Sequence, residues 1–243
     1  MSIRGARLHV RRGGGGRPIV LVHGIGVSSR YFVPLGRELA RDRAVSIPDL
    51  PGFGKSERTA RPLSVAGLAD ALLGYLDAAG LEQPPLVANS MGCQIVAALA
   101  ARRPDRVGPI VFVGPTVDPH RRSATRQVLG GLADCVREPP SLLAIIVWDY
   151  AVFGPRRFLA TARSALRDRI EDNLRRVDSP TLVIRGEHDG FVSQRWAEEA
   201  AALLSHGRLV VIPGEPHAVH YTRPRLVAAL VRRFLEEVED GGG

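Results

Sequence analysis

Apolar residues run along the chain in two rhythms. Short, nearly unbroken apolar stretches at 6–10, 18–22, 44–47, 85–88, 109–113, 181–185 and 208–212 read as strands, most of them buried on both faces of a parallel sheet. Between them, longer segments with apolar positions at helical spacing predict helices over 29–41, 64–79, 91–103, 194–204 and 224–239. This alternation predicts an α/β fold, a mostly parallel twisted sheet with helices on both faces. The stretch 117–178 breaks the rhythm. It carries no strand pattern and reads as three or four helical pieces divided at Pro139-Pro140 and Gly154-Pro155. Ordinary connections span about 2–6 residues, so this stretch is predicted to be a helical lid inserted between core segments 1–116 and 179–243.

Composition narrows the class. A chain of 243 residues with 45% hydrophobic and 24% charged positions can build one large core, which excludes a disordered protein. Cys93 and Cys135 stand alone, so neither a disulfide framework nor a zinc site is expected. The longest apolar run, 142–148, is far short of the roughly 20 residues of a membrane span, and the first residues lack a signal-peptide core. A cytoplasmic protein without membrane attachment is the expectation.

The net charge of +8 suggests a nucleic-acid partner, but its distribution argues otherwise. Residues 1–61 hold 12 Lys and Arg against 4 Asp and Glu, and the remainder holds 21 of each. Arg4, Arg7, Arg11, Arg12 and Arg17 fall on or beside the first predicted strand, where charge at a sheet edge discourages aggregation. No nucleic-acid partner is therefore expected. The glycines at 241–243 read as a frayed tail.

Two glycine motifs point to nucleotides and fail on inspection. The turn at 24–29 has serine where the third glycine of G-x-G-x-x-G belongs. Gly54-Lys55-Ser56 ends like a phosphate loop, yet Asp49 stands where that loop needs its first glycine, and a carboxylate there would oppose phosphate. No cofactor and no metal is expected.

Chemistry gathers instead where strands end. The strand at 85–88 runs through Asn89 into Ser90, Met91, Gly92 and a helix, the setting of a G-x-S-x-G nucleophile elbow with Ala88 in its first glycine position. Alone, such a serine is as readily a helix cap. Downstream, Asp189 follows the strand at 181–185, and His217 follows the strand at 208–212. Upstream, His23-Gly24-Ile25-Gly26 follows the strand at 18–22, and Asp49-Leu50-Pro51-Gly52-Phe53-Gly54-Lys55-Ser56 follows another. Carboxyl ends of parallel strands are where open sheets bind ligands.

These five pieces, in this order, resemble the α/β-hydrolase superfamily from about residue 6 to 239, with an elbow similar to that of the meta-cleavage-product C–C hydrolases. The resemblance implies Ser90 as nucleophile, His217 as general base and Asp189 as the group that orients the histidine. It places an oxyanion hole at the backbone N–H groups of Ile25 and Met91. Alternatives remain for two roles: His220, three residues past His217, and Asp118, after the strand at 109–113, where some relatives keep their acid. His188, Glu187 and Glu215 read as loop surface, and both cysteines as buried, inert thiols.

Serine at the elbow excludes the aspartate-dependent dehalogenases and epoxide hydrolases of the superfamily. The lid supplies Trp148, Tyr150 and Phe153 as candidate substrate contacts, part of an apolar set suited to a small hydrophobic substrate. The expected activity is cleavage of a small hydrophobic carboxylic ester or lactone. Two alternatives stay open: C–C hydrolysis, against which Ala218 stands where those enzymes usually carry tryptophan, and a non-hydrolytic ligand receptor on the same fold. Oligomeric state is not legible.

Overall fold

The computed structural model describes residues 2, 3 and 5–241. Arg4 and the last two glycines of the expected tail lie outside them. Seven strands form the main sheet: β3 (Val10–Gly13), β4 (Arg17–Val22), β5 (Arg43–Pro48), β6 (Leu86–Asn89), β7 (Ile110–Val113), β8 (Thr181–Gly186) and β9 (Gly207–Ile212). Their order is β3-β5-β4-β6-β7-β8-β9, with β3 antiparallel to β5 and every other pairing parallel. Strands β1 (Ser2–Ile3) and β2 (Ala6–Arg7) pair separately.

Successive side chains of a strand point to opposite faces, and this sheet shows why its strands read as unbroken apolar runs. Val20, Val22, Leu86, Ala88, Ile110, Phe112 and Val183 pack into one core with α2 (Val65–Ala78), α3 (Met91–Arg102) and α8 (Gln194–Leu203). Their neighbours Ile19, Leu21, Val87, Val111, Val113, Leu182 and Ile184 pack into a second core with α1 (Val33–Leu39) and α10 (Pro224–Asp240). Both faces are covered, so apolar residues dominate both positions of the alternation, with Ser46, Asn89 and Arg185 among the buried polar exceptions.

Two expected elements differ. The first strand begins later than 6–10: β3 covers Val10–Gly13 and pairs Val10 with Pro48 and Gly13 with Val45. As an edge strand it has exposed positions that accept Arg12, so the apolar run was a poor guide. Arg7 and Arg17 lie off that edge, paired with Glu57 and Glu239. The helix expected over 29–41 splits into a 3-10 turn, Ser29–Phe32, and α1, because Pro34 fits a first helical turn and not a helix interior.

Between β7 and β8 lie four helices, α4 (Ala124–Cys135), α5 (Pro140–Phe153), α6 (Pro155–Arg167) and α7 (Ile170–Leu174). Prolines at the first turns of α5 and α6 and the Ser123 side chain, which accepts the Arg126 N–H, set where they begin. The short α9 (Val219–Thr222) precedes α10. None of the helices among the described residues is long and apolar enough to cross a membrane.

Candidate active site

The strand order reverses between β4 and β6, and the crevice outside their carboxyl ends is the ligand position of an open α/β sheet. Ser90 sits there, between the end of β6 and the start of α3, with φ 57° and ψ −126°. A side chain in that region is strained, and such strain concentrates at functional sites. The turn is bounded by a close approach. A Cβ on Gly92 would lie 2.4 Å from the Val22 carbonyl oxygen, so only glycine lets α3 meet β4 this closely.

The Ser90 N–H donates to the Val113 carbonyl at 3.0 Å, and the next residue, Gly114, abuts the His217 ring. His217 donates from Nδ1 to Asp189 Oδ2 at 2.8 Å; a carboxylate only accepts, so Nδ1 carries the proton and Nε2 is the nitrogen left over. His217 Nε2 is buried without a hydrogen-bond partner among the described residues. Asp189 is held by its other oxygen, which accepts the N–H groups of Phe191 and Val192 at 2.8 and 2.9 Å. Burial alone would push the His217 imidazole down. The Asp189 carboxylate, by charge and hydrogen bond, and Asp134 and Glu138 farther out outweigh it and raise the imidazole to about 9.

Gly114 is held at φ 57°, and a Cβ there would lie 2.7 Å from His217 Cε1 and 3.0 Å from Asp189 Oδ2. Gly114→Ala is therefore expected to destabilise the fold by about 1–3 kcal/mol through overpacking. Thermal denaturation checks this; a midpoint within a degree of the parent would show that the His217 ring has room to move.

The loop 49–56 fixes the floor of the site. Asp49 accepts the Ser29 N–H at 2.6 Å and the Lys55 N–H at 2.9 Å, and it contacts His9 Nδ1 at 3.0 Å. His23 accepts the Leu50 N–H through Nε2 at 3.1 Å, which leaves Nδ1 to donate to the Gly24 carbonyl at 2.9 Å. Burial lowers its affinity for a second proton, in keeping with this neutral tautomer. His23 thus pins the loop carrying Ile25. Met91 opens α3, so its N–H has no carbonyl acceptor within its own helix.

Geometry separates the sequence alternatives. Asp118 accepts from the Ser193 hydroxyl at 2.6 Å and from the His120 N–H at 2.8 Å, and so braces the turn before α8. His220 lies against the rings of Tyr31 and Phe32 at 4.5 and 4.4 Å, and burial, with His217 nearby, pushes it down to about 3. Cys93 is buried, and its thiol is pushed up by burial.

Two expectations are corrected, those for Glu215 and Cys135, and the three candidate lid contacts take different places. Glu215 is buried, accepting from Thr222 Oγ1 at 2.7 Å and Arg223 Nε at 2.6 Å, because its loop folds back on the end of α9. Cys135 is exposed, on the outer side of α4. Trp148 is 61% exposed. Phe153 is buried in the core, stacked on Phe53 at 4.5 Å. The Tyr150 ring lies against Gly26, in the loop of Ile25, and pairs with Phe158 at 4.8 Å.

Three acids that the sequence analysis passed over also reach this region. Asp149 accepts from the Ser28 hydroxyl at 2.6 Å and Arg30 at 2.8 Å, tying α5 to the loop after β4. Asp134 accepts the N–H groups of Gly190 and His217, both at 3.3 Å, and Glu138 accepts the Ala218 N–H at 3.0 Å. Their signal was a carboxylate on an otherwise apolar or cationic helical stretch. Asp134, Asp189 and His217 together offer three metal-type donor atoms within 4.8 Å of one another.

A parallel sheet with this strand order, a strained serine after β6 and a buried Asp–His pair after β8 and β9 make the protein an α/β hydrolase in architecture. The profile of the Alpha/beta hydrolase family matches residues 19–230, and the chain belongs to that family. It is 29% identical over 264 residues to 2-hydroxymuconate semialdehyde hydrolase of Pseudomonas sp. (strain CF600), covering 97% of this chain and 92% of that one. It is 26% identical over 239 residues to Esterase YbfF of Escherichia coli (strain K12), covering 90% and 93%. Among solved structures, the enol-lactonase from Burkholderia xenovorans LB400 superposes with a TM-score of 0.83 at 22% identity, covering 96% and 98%.

Proposed function

We propose that the protein is a serine hydrolase that cleaves small hydrophobic carboxylic esters or lactones through an acyl-enzyme. The observation that carries this reading is Ser90 itself, a non-glycine residue at φ 57° on the turn between β6 and α3. In the proposed reaction, His217 Nε2 takes the Ser90 hydroxyl proton as the oxygen attacks the carbonyl carbon. Asp189 keeps the ring in the required tautomer. The oxyanion formed accepts from the N–H groups of Ile25 and Met91, donors worth about 2.7–4 kcal/mol each in such sites. His217 then returns the proton to the departing alkoxide, and water hydrolyses the acyl group by the reverse sequence. The segment 117–178 serves as the lid, with Tyr150 against the loop of Ile25.

A general base must be neutral, and the His217 imidazole is raised to about 9. The expected kcat/KM profile therefore climbs through neutral pH, is half-maximal near pH 9 and levels off above it. A plateau already reached below pH 7 would show that the surrounding carboxylates do not raise the imidazole that carries the proton.

C–C hydrolysis is the second reading, favoured by the 29% identity to 2-hydroxymuconate semialdehyde hydrolase. One experiment separates the readings: p-nitrophenyl esters of rising chain length are compared with a ring-fission dienoate, with fluorophosphonate labelling alongside. Ester turnover with labelling of Ser90 supports the proposal. Faster turnover of the dienoate moves the substrate to the C–C class. Neither turnover nor labelling overturns the hydrolase reading and leaves a ligand-binding member of the fold.

A further inference from the structure

Asp134 and Glu138 are buried beside His217, and each has one oxygen fixed to the backbone of a loop that carries the proposed triad. Asp134 Oδ1 accepts from Gly190 and His217, and Glu138 Oε1 accepts from Ala218, so the two carboxylates bind the N–H groups of adjacent residues. Their second oxygens, Asp134 Oδ2 and Glu138 Oε2, are buried with no hydrogen-bond partner, and neither carboxylate pairs with a Lys or Arg among the described residues. An oxygen of Asp134 lies within 4.8 Å of a His217 ring nitrogen.

Burying a carboxylate without a cation is costly. The cost shows in both groups, which burial raises to about 6 for Asp134 and about 7 for Glu138. His217 donates to neither oxygen: its Nδ1 is committed to Asp189, and its Nε2 makes no hydrogen bond among the described residues. Ala218, whose N–H Glu138 accepts, belongs to a buried cluster with Val27, Tyr31 and Leu142.

The number of unsatisfied oxygens, one on each side chain, narrows the choice of cation. A guanidinium is matched by both oxygens of one carboxylate, and here one oxygen of each is already engaged. A divalent metal would need ligands beyond these two, and Asp189 and His217, the residues that share a donor cluster with Asp134, bond to each other. A primary ammonium is a compact charge with three N–H donors, which suits two single oxygens from two side chains.

We propose that Asp134 and Glu138 form a subsite for a protonated amine, so that the preferred substrate is an apolar ester or lactone carrying one ammonium group. Its role in turnover rests on the hydrolase reading above, but the subsite is a statement about binding and is tested without turnover. The test is calorimetric titration of the Ser90→Ala protein with ω-amino methyl esters of increasing chain length. Each is compared with the neutral ester that has a methyl group in place of the ammonium. The expected result is a preference of roughly tenfold or more for the best amino ester, the size of one charge-assisted hydrogen bond. Asp134→Asn and Glu138→Gln, added singly, keep the amide carbonyl that accepts the backbone N–H and are expected to cut the preference to roughly threefold or less. Equal binding of the neutral partner at every chain length overturns the proposal, whether or not the variants fold. So does a preference that survives both substitutions. Binding of zinc ion alone, abolished by either substitution and without ammonium preference, overturns it in favour of a metal site. If the ammonium preference stands while the parent shows no Ser90-dependent turnover, only the hydrolase reading fails.

Discussion

Ser90→Ala is expected to lower kcat/KM for p-nitrophenyl esters by on the order of 10⁴-fold or more. A serine hydroxyl is too weak an acid to attack a carbonyl unaided, and alanine removes both the attacking oxygen and the proton that His217 Nε2 would take. What remains is catalysis by the oxyanion donors and by substrate positioning. The backbone at this position does not depend on the hydroxyl: Ser90 donates its N–H to the Val113 carbonyl and accepts the Cys93 N–H through its own carbonyl. The variant is therefore expected to melt near the parent, so lost activity reports chemistry and not unfolding. Steady-state kinetics beside a thermal melt decide the matter. Activity within tenfold of the parent in a folded variant would exclude Ser90 as the nucleophile.

The largest expected effect on stability comes from Trp196→Ala. Trp196 is 1% exposed, lies in α8 within the core beneath β8, and donates from its indole nitrogen to the Pro115 carbonyl at 2.8 Å. Truncation removes an aromatic side chain from a close-packed core and leaves the Pro115 carbonyl without its donor. Losses of about 3–5 kcal/mol follow from such deletions. At about 2–4 °C per kcal/mol for a chain of this size, the melting midpoint falls by roughly 10 °C. Trp148→Ala is the control: with 61% of its surface exposed, it is expected to change stability by no more than about 0.5 kcal/mol. Equal melting shifts for the two variants would mean that the exposed face of α5 is covered in solution.

The two tryptophans show where sequence reasoning about this chain stops. Helix α5, Pro140–Phe153, is apolar on nearly every side, so its pattern does not say which face turns inward. The structure turns Asp149, its one charged residue, inward to Ser28 and Arg30 and leaves Trp148 outside. A buried acid in an apolar helix contradicts the usual reading, and only its partners 119 and 121 residues away explain it. The amphipathic helices posed no such difficulty. Nor did the buried strands, because a sheet covered on both faces favours apolar residues at successive positions.

The order of chemical groups along the chain was legible for the same reason. Ser90, Asp189 and His217 each follow an apolar strand, and the parallel arrangement brings those strand ends to one edge of the sheet. What the sequence determined by itself was this list of strand-end groups, since strand ends are marked by local changes in hydrophobicity. Only the tertiary structure decided which of them meet: Asp189 and not Asp118 reaches His217, and His220 packs between aromatic rings. It alone also brings Asp134 and Glu138 to the N–H groups of His217 and Ala218, across 83 and 80 residues of chain. Contacts of that kind depend on how one helix docks on two distant loops, and no periodicity within the helix records its partner.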